Sequence, residues 1–162
     1  MTDEQVFDET YVYRIKTMSD SNFSDDDITL ASGLAAFEAK HFARAIKILS
    51  PLTDKGNAEA MYRCAIIYQN GLGVHANEDA ALRMMSAAAE QGHALAQHGL
   101  GFMYMQGECV ARDGEKAVEW FSKAAEQGLA GSQTTLAMIY EEGTLVPRNT
   151  DLASYWYKKA GF

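Results

Sequence analysis

The last two-thirds of this chain repeats itself. From Asn57 onward one pattern runs three times at a period of 36 residues without insertions, as Asn57–Gly92, His93–Gly128 and Leu129–Phe162. Tyr68, Tyr104 and Tyr140 fall in register. So do Gly71, Gly107 and Gly143, then Val74, Val110 and Val146, then Ala81, Ala117 and Ala153. A fixed period between about 20 and 50 residues marks stacked supersecondary units, each completed by burying its apolar face against a neighbour. That restricts the fold before any single residue is weighed.

Each copy reads as helix, loop, helix. In the second copy, Ala96, Leu100, Met103 and Tyr104 recur at helical spacing over residues 93–106, and Gly107 stops that helix. Asp113 stands where the second helix needs an N-cap, with Asn77 and Asn149 as its counterparts. That helix is expected to bury Ala117, Val118, Phe121, Ala124 and Ala125 and to end at Gly128, as Gly92 and Gly56 end their predecessors. Ala65, Gly101 and Ala137 are small enough for helices to cross closely there, beside the larger Tyr68, Tyr104 and Tyr140. Upstream, Leu30 to Leu52 reads as a shorter helix pair with Gly33, Phe42 and Ala45 at repeat spacing. Ser24 before Asp25, Asp26 and Asp27 predicts a capped start with an acidic first turn. Pro51 is expected to kink or tighten the end of the second helix. In residues 1–23, Phe7, Tyr11, Ile15 and Met18 share a helical face and predict a capping helix, while the alternation of Tyr11, Tyr13 and Ile15 leaves a strand or arm as the alternative. The expected organisation is an acidic capping segment (1–23), a degenerate repeat (24–56) and three full repeats (57–92, 93–128, 129–162). The expected fold class is all-α, a right-handed solenoid of about nine helices stabilised mostly by nearest-neighbour stacking.

The repeated residues carry a family resemblance. The second copy holds Leu100, Gly101, Tyr104, Gly107, Val110, Asp113, Lys116, Ala117, Trp120, Phe121, Lys123, Ala124, Ala125 and Gly128, and this pattern resembles the Sel-1-like repeat, a relative of the tetratricopeptide repeat. The third copy keeps Leu136, Tyr140, Gly143, Val146, Trp156, Tyr157, Lys159 and Ala160. The first departs most, with Met84 and Met85 in the aromatic slots and Cys64 in a leucine slot. The resemblance implies a superhelix whose concave face is lined by the first helix of each unit. It does not imply the β-lactam activity described for some secreted relatives, which depend on a disulfide in each repeat; only Cys64 and Cys109 are present.

Charge narrows the partners. The formal net charge is −8, and residues 1–27 hold eight acids against Arg14 and Lys16. No basic stripe exists to neutralise phosphates, so nucleic acid is excluded as an expectation, and a basic partner is favoured. No apolar run approaches the roughly 20 residues of a membrane span. The acidic N-terminus lacks the pattern of a signal peptide, and two cysteines make no disulfide framework, so a cytoplasmic home is expected. Catalytic motifs for nucleophiles, phosphate loops, dinucleotides and zinc are absent. His93 and His98 lie five apart, about 140° around a helix, and make poor joint metal ligands. No cofactor or metal is expected. Cys109 replaces a loop glycine and is the one candidate for an exposed, reactive thiol.

A binding surface is what remains. Carried over by register, the groove would be lined by Leu34 and Phe37, then Tyr62, Ile66 and Gln69, then His98, Phe102 and Met105, then Thr134, Met138 and Glu141. His98, Phe102 and Met105 form a second stripe on their helix, apart from the Leu100–Tyr104 stripe needed for packing. Either they pack on neighbouring repeats, or they hold a partner's peptide or helix, with Phe102 and Met105 as anchors. The chain ends at Phe162 with Tyr155, Trp156 and Tyr157 nearby, and these four form a second candidate interface, for a partner or for a homodimer. The leading reading is a non-catalytic protein-interaction adaptor. An inhibitor or immunity protein that neutralises a toxic partner is one alternative. A small-ligand binder or enzyme using His98 and Glu141 is the other.

Overall fold

The computed structural model describes residues 23–162. They form eight helices: α1 (Asp25–Glu38), α2 (Phe42–Asp54), α3 (Ala58–Asn70), α4 (Glu78–Glu90), α5 (Ala94–Gln106), α6 (Gly114–Glu126), α7 (Ala130–Glu142) and α8 (Thr150–Ala160). Among the described residues there is no strand. Each helix packs on the one before it and the one after it, giving the all-α stack of helix–turn–helix units that the period requires. The expected capping helix over 1–23 falls almost wholly outside the described residues.

Local chemistry sets the helix ends. Ser24 Oγ accepts from Asp27 N–H while an Asp27 carboxylate oxygen accepts from Ser24 N–H, a reciprocal cap that starts α1. Asn77, Asp113 and Asn149 accept from the backbone at Ala80, Lys116 and Leu152 and start α4, α6 and α8. Such a cap is worth about 1 kcal/mol. Gly71, Gly107 and Gly143 end α3, α5 and α7 in the left-handed region, at φ 61, 75 and 68°. A side chain there would be strained, which explains their recurrence as turn residues. Residues 39–41 suffice to join α1 to α2, whereas the later pairs use 71–77, 107–113 and 143–149. Helix α2 continues through Pro51 to Asp54.

The core is a row of three overlapping clusters. The first joins Ala45, Leu49 and Leu52 to Ala60, Cys64 and Ile67. The second joins Ala65, Met85 and Ala88 to Ala96, Leu100 and Met103. The third joins Ala117, Phe121 and Ala125 to Leu136, Ala137 and Trp156. Helices of 13 residues are marginal alone, and burial between neighbours stabilises them. Buried glutamines add to this. Gln97 Nε2 donates to Ala89 O, and Gln133 Nε2 to Ala125 O, so α4 and α6 each have a carbonyl of the last turn bonded by the next repeat. Gln127 Nε2 in turn donates to Gln97 Oε1 and Gly92 O.

The second repeat contains a close crossing. A Cβ added to Gly101 would lie 2.8 Å from the Phe121 ring. The same two register positions hold Ala65 and Met85 in the first repeat, and Ala137 and Tyr157 in the third. With Phe121 placed as it is, Gly101 leaves no room for a side chain. Gly101→Ala should destabilise the protein by about 1–3 kcal/mol through overpacking. Adding Phe121→Met, the side chain the first repeat uses, should recover most of that loss in chemical denaturation. Two independent, additive losses would show that the crossing does not set the pairing.

Candidate functional site

The groove positions lie on α3, α5 and α7, three helices that occupy the same place in successive repeats. Tyr62, His98 and Thr134 form one row across them, Ile66, Phe102 and Met138 a second, and Gln69, Met105 and Glu141 a third. All are half-buried except Met138 and Glu141, which are exposed. Both explanations of the second apolar stripe therefore apply, to different residues. Tyr62 and Ile66 pack against the second core cluster, and Phe102 and Met105 against the third. Met138 is 47% exposed.

His98 and Phe102 are committed to an aromatic cluster. His98 lies edge-on to Phe102 at 4.8 Å and to the buried Phe121 at 5.5 Å, and Phe102 meets Phe121 at 5.1 Å. His98 Nδ1 stands 2.7 Å from Ser132 Oγ on the next repeat. Burial holds the imidazole below its ordinary range, so it is neutral near pH 7. Glu141, by contrast, accepts a hydrogen bond from the Tyr157 hydroxyl at 2.7 Å. That carboxylate pushes the Tyr157 hydroxyl above its usual range. The structure thus gives His98 and Glu141 separate partners and does not bring them into one hydrogen-bonded set. Gln69 Nε2 donates to Glu108 at the adjoining loop.

A polar network at the first-repeat end of the groove has no counterpart in the motif. Glu59 accepts from Arg63 Nε and from His93 Nε2, each at 2.7 Å. His93 also caps α5, its Nδ1 accepting from Ala96 N–H, which assigns the ring proton to Nε2. Arg63 reaches Glu38 at 3.3 Å and lies 4.8 Å above the Phe37 ring. Tyr62 and His93 stack at 4.9 Å. Burial raises the Glu59 carboxyl, but the hydrogen bonds from His93 and Arg63 and the charge of Arg63 outweigh it and leave the group below its ordinary range. The i,i+4 spacing of Glu59 and Arg63 was the only sequence sign of this network.

The cysteines are placed apart. Cys64 is fully buried and its thiol is pushed up to about 11 by burial. Cys109 takes a left-handed φ of 61°, close to the 66° of its glycine counterpart Gly73. It borders an open notch of about 650 Å³ with Gln69, Glu78 and Glu108. Partial burial and those two carboxylates raise its thiol, the opposite of what a reactive thiolate needs. Among the described residues, no cluster of histidine, cysteine and acidic side chains has metal-binding geometry.

The end surface is smaller than expected. Trp156 is 9% exposed and packs into the third core cluster, because it occupies the register of Trp120 and turns inward with it. Tyr157 is half-buried against the same cluster, and Phe162 folds onto its ring at 6.0 Å. Tyr155, at 50%, and Phe162, at 81%, remain outward.

The stack and its capped glycine turns define a helical-repeat protein. The Sel1 repeat pattern matches residues 58–93, 94–129 and 130–161, and the chain belongs to the Sel1-repeat family. It is similar to a Sel1 repeat protein from Oxalobacter formigenes, at 37% identity and a TM-score of 0.66 over 70% of this chain and 87% of that one. It is also similar to c5321, a protective antigen of uropathogenic Escherichia coli strains with an SLR fold, at 31% identity and a TM-score of 0.79 over 91% of this chain. The match spans 32% of that longer protein. No curated protein matches the chain. Proteins with these repeats generally mediate protein–protein interaction and are typically non-catalytic scaffolds. No helix among the described residues is long and apolar enough to cross a membrane.

His98 carries a measurable consequence. Its folded value lies below its ordinary value near 6.5, so the unfolded chain binds more protons once the pH falls under that value. Stability should therefore decline as the pH falls through about 6.5 toward the depressed folded value, ahead of any carboxylate loss. His98→Gln should flatten the melting temperature over that interval. An unchanged slope would assign the decline to another group.

Proposed function

We propose that this chain is an adaptor that holds a segment of a partner protein in the groove across α3, α5 and α7. One observation supports it most: the groove rows are not wholly consumed by packing. Phe102 and His98 close over the buried Phe121, while Met105 stays half-buried and Met138 and Glu141 are exposed. Methionines on a firm aromatic floor suit an adaptable contact, since the thioether bends to meet different side chains. The aromatic floor keeps the surface preorganised, which lowers the cost of binding.

Phe102 is a poor probe of this reading, because its loss would also loosen Phe121. Met105→Glu with Met138→Glu is the better pair. A partner is first captured with the wild-type protein from the cells of origin and identified by mass spectrometry, and its affinity for both proteins is then measured. The paired variant should keep its melting temperature within a few degrees and lose affinity at least about tenfold, as expected at an apolar anchor. A partner retained at full affinity would move the interface off the groove, with Tyr155 and Phe162 next to be replaced.

A further inference from the structure

Gly131 is a glycine that the fold does not require. Of the thirteen glycines, eight sit at left-handed φ, and at four more an added Cβ would come within 3.0 Å of a neighbour. Gly131 alone has neither reason. It lies in the first turn of α7 without a positive φ. An added Cβ there would meet His98 Cε1 at 3.7 Å and Nε2 at 3.8 Å, ordinary contact distances. Glycine costs a helix more backbone entropy than alanine, so its presence calls for another cause. The same register holds Glu59 in the first repeat and Leu95 in the second.

The missing side chain leaves an edge of His98 uncovered. Nδ1 of that ring stands 2.7 Å from Ser132 Oγ. Ser132 is 0% exposed, and its hydroxyl has no other partner among the described residues. The hydroxyl therefore donates to Nδ1, since the reverse would bury an O–H without an acceptor. The ring proton is thereby placed on Nε2, which lies beside exposed Gly131 and has no partner among the described residues. Phe102 and Phe121 pack edge-on against the ring and hold it in this orientation. Ser132 is too deeply buried to meet a substrate, so the pair presents a donor and not a nucleophile.

We infer that His98 Nε2–H, beneath the gap at Gly131, is the groove's hydrogen-bond donor to a main-chain carbonyl of the partner segment. This rests on the adaptor reading above and adds the chemistry of one contact to it. The charges around the ring select a neutral acceptor. Helix α5 carries no Asp, Glu, Lys or Arg, and α7 carries only Glu141 and Glu142 at its C-terminal end. A carboxylate or phosphate would find no cation on either helix and would meet those two acids. The peptide carbonyl is a neutral acceptor that every residue of a partner supplies. The contact thus sets where the segment lies, and Met105 and Met138 are left to meet its side chains. The α3–α5 junction has no such gap, since Tyr62 and Leu95 occupy the registers of His98 and Gly131.

Gly131→Ala and Gly131→Leu test this, the second carrying the side chain that the second repeat uses. Gly131→Ala should raise the melting temperature by about 1–3 °C, because it adds helix propensity without a clash. A fall would give the glycine a packing role and overturn the inference. Nitrogen NMR of the His98 ring should find its proton on Nε2, and a proton on Nδ1 would equally overturn it. The binding probe is a synthetic peptide of the partner segment captured on the wild-type protein. A series of analogues replaces each backbone amide in turn by an ester, whose carbonyl accepts more weakly. One ester should weaken binding to the wild-type protein about three- to tenfold, the worth of a single hydrogen bond. Gly131→Leu should bind the parent peptide more weakly by a similar factor and be indifferent to that ester. If no ester distinguishes the two proteins, His98 does not make this contact. Loss of affinity in the paired Met105→Glu and Met138→Glu variant would then leave the groove standing and remove only the His98 contact. Full affinity in that pair would remove both.

Discussion

One backbone hydrogen bond per repeat fixes the rest. The N–H of the residue that caps each second helix returns to the carbonyl of the recurring tyrosine: Asn77 to Tyr68 at 3.0 Å, Asp113 to Tyr104 at 2.9 Å and Asn149 to Tyr140 at 2.8 Å. The side chain of the same residue caps the second helix. One residue thus closes the loop on the first helix and starts the second. The left-handed glycine just after the first helix makes the reversal possible. With the two helices so fixed, Gly101 and Phe121, 20 residues apart, meet across the crossing, and the ring leaves no room for a Cβ. The 36-residue period is the sequence record of this geometry.

That explains which parts of the fold were legible. Glycine turns, Asn/Asp caps and small crossing residues act locally or at fixed separations, so they recur in register and can be read from one chain. The buried glutamines escaped because a helical glutamine normally faces water. Only the structure shows that Gln97 and Gln133 reach the end of the previous helix. The Glu59–His93 contact joins residues 34 apart in different repeats. No period announces it, since Leu95 and Gly131 occupy the later positions of Glu59.

The groove was legible as a set of positions but not as a division of labour. Register alone places Phe102 and Met138 in equivalent sites. Their difference comes from what lies beneath. Phe121 is a large flat ring, and Phe102 and His98 close over it. At the register of Phe121 the third repeat has Tyr157, whose hydroxyl donates to Glu141. Tyr157 packs against the third core cluster, and Met138 stands 47% exposed. A similar argument applies at the end surface, where Trp156 follows its register inward and only Tyr155 and Phe162 escape it.

In a stack of near-identical units, the shared residues serve the fold, and specificity must come from the departures. Here the departures are unevenly distributed. The first-repeat end of the groove carries a closed polar network of Glu38, Arg63, Glu59 and His93, whose charges are largely paired with one another. Glu59 accepts from both Arg63 and His93, and Arg63 also reaches Glu38, so a ligand here would compete with contacts already made. The third-repeat end has an outward methionine, an exposed carboxylate and a tyrosine edge, with apolar and charged groups side by side. Association gains most where apolar surface is still open and least where polar groups must first leave existing partners. By that criterion, and within the adaptor role proposed above, the open apolar surface on α5 and α7 is better suited to bind a partner than the paired network on α1 and α3.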